Sequence, residues 1–176
     1  MNMFSIKNIS FLVLATCLVA LATWTTGCGV YKFNDISIDP NIKSVRINFI
    51  ENRAPYVNPQ LSPTLTDRVK QKIVNQTRLT QTNNENAHYD ISGYISDYSV
   101  STTGVSQNRG VMNRLTVAVH ITVKDQLNNT PPKEIDVSRS FEFAANISLQ
   151  AAESRLMEEM VRNLTDDIFN RIFSAW

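Results

Sequence analysis

From Leu115 to Val123 every second residue is aliphatic: Leu115, Val117, Val119, Ile121 and Val123. Arg114, Thr116, Ala118, His120, Thr122 and Lys124 fill the alternate positions. A period of two gives a pleated strand one dry face and one wet face, and it fits no helix. The branched valines and threonines also favour extended backbone. The pattern therefore predicts a strand over 111–124 whose aliphatic face must be covered by something else.

The same reasoning places the other elements. Val45, Ile47 and Phe49 alternate with polar residues and predict a strand over 43–50. Pro55 and Pro59 mark 51–59 as loop. Ser62-Pro63 opens a helix to about Gln76, with Ser62 as cap and Leu65, Val69, Ile73 and Val74 as its buried stripe. The polar stretch 79–87 is loop, with Leu79 and Thr80 able to start a short strand. Residues 89–100 predict a strand with Ile91 and Ile95 on one face and Tyr94 and Tyr98 on the other. Asp97 breaks the first parity, so a bulge is expected near Ser96. After a Ser/Thr/Gly loop and the central strand, Ile135, Val137, Phe141 and Phe143 predict a strand over 133–143. Arg139 falls on its apolar parity, which calls for an edge position or a partner. A long helix over 148–173 carries Leu149, Ala152, Leu156, Met160, Leu164, Ile168 and Ile172. The expected fold class is α+β: a four-stranded mixed sheet with two helices packed on one face, in the order β-α-β-β-β-α. The opposite face, carrying Arg114, Thr116, His120 and Thr122, is left free for something hydrated.

The amino-terminal end has a different character. An apolar run from Ile9 to Trp24 follows Lys7, and no acidic residue precedes Asp35. At roughly 15 residues the run is short of the ~20 that a spanning helix needs, and it has the layout of a secretory signal peptide. Its ending, Thr25-Thr26-Gly27-Cys28-Gly29, resembles a bacterial lipobox, with Thr25 where the usual box has Leu. That resemblance implies cleavage before Cys28 and a diacylglycerol thioether on Cys28, with further fatty acid such as palmitate on the new terminus. Two or more acyl chains give stable attachment, because each buried methylene contributes about 0.8 kcal/mol. The division expected is a signal peptide over 1–27, an acylated tether over 28–42 and one domain over 43–176. Gly29, with no acidic run behind it, points to the outer membrane, periplasmic side.

The whole chain has 17 Lys+Arg and 16 Asp+Glu. Removing Lys7 with the signal peptide leaves 16 against 16, a neutral chain without a basic block, which argues against nucleic acid. Cys17 leaves with the signal and Cys28 is acylated, so no internal disulfide is expected and packing must hold the fold. No zinc, redox, phosphate-loop or nucleophile-elbow motif occurs. His88 precedes a strand and His120 reads as an exposed strand residue, so neither is taken as a catalyst or a metal ligand. The acidic pairs Glu158-Glu159 and Asp166-Asp167 read as a solvated helix face. No catalytic residue, metal or cofactor is expected.

With these elements placed, the chain resembles the LptE family of outer-membrane lipopolysaccharide-assembly lipoproteins. The matching pieces are Gly27-Cys28-Gly29-Val30-Tyr31, the helix over 62–73, Leu115-Thr116-Val117-Ala118-Val119, Arg139-Ser140-Phe141 and Glu158-Glu159-Met160. Their order and spacing carry the likeness. It implies a non-enzymatic plug within the LptD β-barrel that helps lipopolysaccharide reach the outer leaflet. It also implies lipid contact through basic residues: Arg109, before the central strand, is the first candidate and Arg114 the next. The start of the last helix, 148–154, contains no Lys or Arg. The competing readings are a stand-alone periplasmic ligand-binding lipoprotein and an accessory lipoprotein of a transporter.

Overall fold

The computed structural model of the 176-residue chain describes residues 38–103 and 111–174. Its elements are β1 (Ser44–Ile47), β2 (Glu51–Asn52), α1 (Leu61–Gln76), β3 (Thr80–Gln81), β4 (Tyr89–Thr103), β5 (Met112–Asp125), β6 (Lys133–Ala144) and α2 (Leu149–Phe173). The sheet runs β3-β1-β4-β5-β6, with β2 pairing separately to β4. β1 is parallel to β3 and β4, and β2 is parallel to β4. β4, β5 and β6 form an antiparallel meander. The class is α+β with a mixed sheet, as the periodicity predicts.

Among the described residues the strands number six rather than four. β2 and β3 are two residues each, too short to show a period in sequence. β2 arises within a stretch read as loop, and β3 falls where Leu79-Thr80 suggested a short strand. β1 ends at Ile47, so Phe49 leaves the expected apolar parity and is 54% exposed, while Ile50 is buried instead.

The core lies between the sheet and the helices. Val117, Val119, Leu164 and Ile168 are fully buried in one cluster with Val45, Leu65 and Ile73. Each such aliphatic side chain contributes about 1.5–3 kcal/mol by leaving water. Val74, expected in the stripe of α1, is exposed. α2 is 25 residues, about 38 Å at 1.5 Å each, and Ser148 caps it by accepting from the Ala151 amide at 3.2 Å.

α1 begins differently from expectation. Asn58 Oδ1 accepts from the Gln60 amide at 2.9 Å and Leu61 N–H donates to the Asn58 carbonyl at 3.4 Å. This turn starts the helix at Leu61, leaving Ser62 inside it and buried rather than capping.

The β4–β5 register shifts between Ile95 and Asp97, where the bulge was expected. Its consequence reverses one expectation. Tyr94 stays on the open face, but Tyr98 is carried across to the helix side and is 3% exposed. An extra residue in one strand inverts every later side chain.

Candidate functional site

The sheet face away from the helices is a ladder of paired polar groups. Arg46 donates to Asp90 through two bonds, Nε–Oδ1 3.0 Å and Nη2–Oδ2 2.9 Å, and Asn48 Nδ2 donates to the same carboxylate at 2.7 Å. Those donors hold the Asp90 carboxyl below the usual range, against the opposing pull of burial. Further along, Arg114 reaches Glu142 at 3.2 Å and Thr116 meets Ser140 at 3.0 Å. The last two pairs follow from alternation, since the even-numbered residues of β5 and β6 face each other in register, and Arg46 and Asp90 are likewise register partners of β1 and β4.

The centre of the face is aromatic. Arg53 lies 4.5 Å over the Tyr94 ring, and the Tyr94 and His120 ring centroids are 5.1 Å apart. His120 sits between two carboxylates, Nδ1 at 2.7 Å from Asp136 and Nε2 at 2.9 Å from Glu134. Hydrogen bonding to Asp136 chiefly, and to Glu134, raises its pKa despite some desolvation. Both ring nitrogens are committed to carboxylates, so the imidazolium suits this place better than a metal-ligating neutral ring. Among the described residues no group of three or more acidic, His or Cys side chains is placed to hold a metal. Arginine and tyrosine stacked in this way are the residue types that anchor protein interfaces.

A second polar cluster lies on the other side of the sheet, at the start of α2. Glu153 is 6% exposed. Tyr98 Oη donates to it at 2.7 Å and Tyr56 Oη at 3.4 Å, and the two tyrosine rings stack with centroids 5.2 Å apart. Burial first, and the Glu153 carboxylate second, push both phenols up in pKa, so they remain donors. The cluster borders a cavity of about 190 Å³ lined by Asn58, Gln60, Gln150, Ser154 and Met157 among others.

Of the residues singled out in sequence, Arg114 lies on the open face and is paired with Glu142. Arg109 and Cys28 fall outside the described residues. His88 is structural: its Nδ1 accepts from the Lys43 amide at 3.0 Å. Asp166 and Asp167 are not a merely solvated pair, since they bind Lys72 at 2.7 Å and Arg139 respectively. Lys72 is half-buried and also lies 5.2 Å over the Phe169 ring. Reading by residue type missed Glu153, although a signal was present. It precedes Met157 by four residues and Met160 by seven, which places a carboxylate within the apolar stripe.

Helices seal one side of a mixed sheet, and a paired, hydrated ladder covers the other, a surface suited to contact with a hydrated partner. Among the described residues no helix is long and apolar enough to cross a membrane. Residues 42–172 match the family model LptE, described as lipopolysaccharide-assembly, and the chain belongs to that family. The family is a non-enzymatic one, working in lipopolysaccharide assembly. No curated protein matches the chain. Among solved structures it is similar to the hypothetical protein CT253 from Chlamydia trachomatis, with 14% identity, TM-score 0.55, and coverage of 74% of this chain and 95% of that one. That likeness concerns the fold alone. A minor lipoprotein from Acinetobacter baumannii (14% identity, 76% and 97% covered, TM-score 0.41) and the rare lipoprotein B from Shewanella oneidensis (14%, 73% and 93%, 0.40) superpose too loosely to argue from.

Proposed function

We propose that this protein is the lipoprotein plug of the lipopolysaccharide-translocating LptD-type barrel at the outer membrane, anchored by acylated Cys28 and facing the periplasm. The match to the LptE family over residues 42–172 carries the reading. The open sheet face supports it. A barrel lumen is polar and wide, so its plug needs a hydrated contact surface, and a ladder of paired charges around Arg53, Tyr94 and His120 is one. In this reading residues 1–27 are the signal peptide, and Arg109 and Arg114 are the lipopolysaccharide contacts.

The deciding experiment is purification of the native protein from detergent-solubilised membranes. The expected result is a stable complex with a β-barrel protein of much larger mass. Elution alone, or with a small ligand only, defeats the plug reading in favour of a stand-alone ligand-binding lipoprotein; an inner-membrane transporter as companion favours the accessory reading. Cys28→Ala is expected to abolish labelling by palmitate, and persistent labelling refutes the acylation site. Arg109→Glu and Arg114→Glu are expected to weaken lipopolysaccharide binding with the melting temperature kept.

A further inference from the structure

We propose that the cavity at the amino-terminal end of α2 is a socket for one basic side chain of the protein partner, whose ammonium or guanidinium meets the Glu153 carboxylate. The inference rests on the plug reading for there being a protein partner, but its evidence is separate and lies on the helix side of the sheet.

A carboxylate withdrawn from water is unfavourable by several kcal/mol unless it is paired and hydrogen-bonded. Glu153 is withdrawn in this way, at 6% exposed. Its hydrogen bonds come from two neutral phenols, one at 2.7 Å and one at a stretched 3.4 Å. Among the described residues it forms no salt bridge, whereas Asp90, Asp166 and Asp167 each have a cation. A carboxylate has about four lone-pair positions, the two phenols occupy two of them, and Glu153 itself lines the cavity. Glu153 lies in the second turn of α2, beyond the first turn where the helix dipole acts most strongly.

The surroundings suit an incoming cation on an aliphatic stem. The cavity holds about 190 Å³, enough for the head of a lysine or arginine, and presents amide and hydroxyl groups from Asn58, Gln60, Gln150 and Ser154. Pro59 and Met157, which also line it, supply apolar surface for the methylenes. Close charge pairs of this kind carry much of the binding energy at some protein interfaces. Charge complementarity selects a basic side chain over an acidic or apolar one.

The test uses the full acylated protein recovered from detergent-solubilised membranes and reads the amount of barrel protein that accompanies it. Glu153→Gln keeps an acceptor for the Tyr98 hydroxyl but removes the charge, and is expected to retain at least about tenfold less barrel. Gln60→Lys places an ammonium of the chain's own at the cavity, and is expected to lose barrel likewise with the melting temperature not lowered. Should Glu153→Gln unfold, Gln60→Lys alone decides. A photo-crosslinker at Ser154 is expected to capture a partner segment containing Lys or Arg. Wild-type recovery of barrel by both variants, or capture of a segment without either residue, overturns the socket and leaves the plug reading standing. Absence of any barrel with the wild-type protein overturns the plug reading itself, and the socket with it.

Discussion

Arg139 of β6 and Asp167 of α2 form a two-pronged ion pair that ties the edge of the sheet to the long helix, with Nη2 to Oδ1 at 2.6 Å and Nε to Oδ2 as the second bond. Arg139 is on the parity of β6 that holds Val137 and Phe141, so its side chain leaves the strand toward the helices. An edge strand tolerates this, because the guanidinium reaches water past the last row of core residues. Asp167 raises the Arg139 pKa through the bond and through its charge. The pair also places a cation on an exposed strand edge, a common defence against edge-to-edge association.

Arg139→Ala is expected to lower stability only modestly, by up to about 1 kcal/mol, because the arginine is half exposed and water screens the pair. Thermal melts of Arg139→Ala, Asp167→Ala and the double variant check it. If the pair acts alone, the double variant should lose no more than the larger single loss.

Gly93 stands directly across from Ile121. A Cβ there would lie 2.5 Å from Ile121 Cδ1 and 2.6 Å from the His120 carbonyl oxygen. The isoleucine end could rotate away, but the carbonyl belongs to the central strand and cannot. Gly93→Ala is therefore expected to destabilise by about 1–3 kcal/mol through overpacking. Urea unfolding measures it. A midpoint equal to wild type would mean that β4 and β5 separate more easily than the ladder implies.

Thr66 joins the first helix to the segment between β1 and β2. Its hydroxyl accepts from the Ile50 amide at 3.0 Å and donates to the Ser62 carbonyl at 2.7 Å, and it is 1% exposed. Thr66→Val keeps the shape and leaves the Ile50 N–H unpaired, so a loss of about 1–3 kcal/mol is expected. Faster amide exchange at Ile50 in the variant, relative to Val117, checks that the effect is local to this join.

The parts of the fold legible in sequence are those with many repeats of one period. β5 shows its two faces five times over, and α2 shows its stripe for seven turns behind a serine cap. The parts that were not legible depend on single contacts. Asn58 forms a turn that starts α1 before Ser62 can cap it. Phe49 is exposed because β1 ends after Ile47, a decision made by pairing with β4. Tyr98 crosses the sheet because of the bulge, and the aspartate that signals the bulge does not say which later residues it inverts. The open polar face could be anticipated from β5 alone. Its anchor could not, since Arg53 follows β2 while Tyr94 and His120 lie on β4 and β5, and only the fold joins them.

His120 supplies a pH signature. Its pKa is raised in the folded protein by Asp136 first and Glu134 second, so the folded state holds the proton more tightly than the unfolded chain does. The other groups facing the ring are Thr122, which donates to Glu134 at 2.7 Å, and Tyr94, which is covered by Arg53 and lies tilted against the imidazole. Folding thus takes up a proton between the unfolded pKa, about 6.5, and the raised folded value. The stabilisation is fully present below about pH 6.5 and fades as pH rises through the folded pKa. His120→Gln removes the proton but keeps hydrogen-bonding groups. The melting-temperature gap between wild type and His120→Gln is expected to be widest near pH 6 and to shrink toward pH 9. A gap that is constant across that range would mean that His120 contributes by packing on Tyr94 and not by its charge.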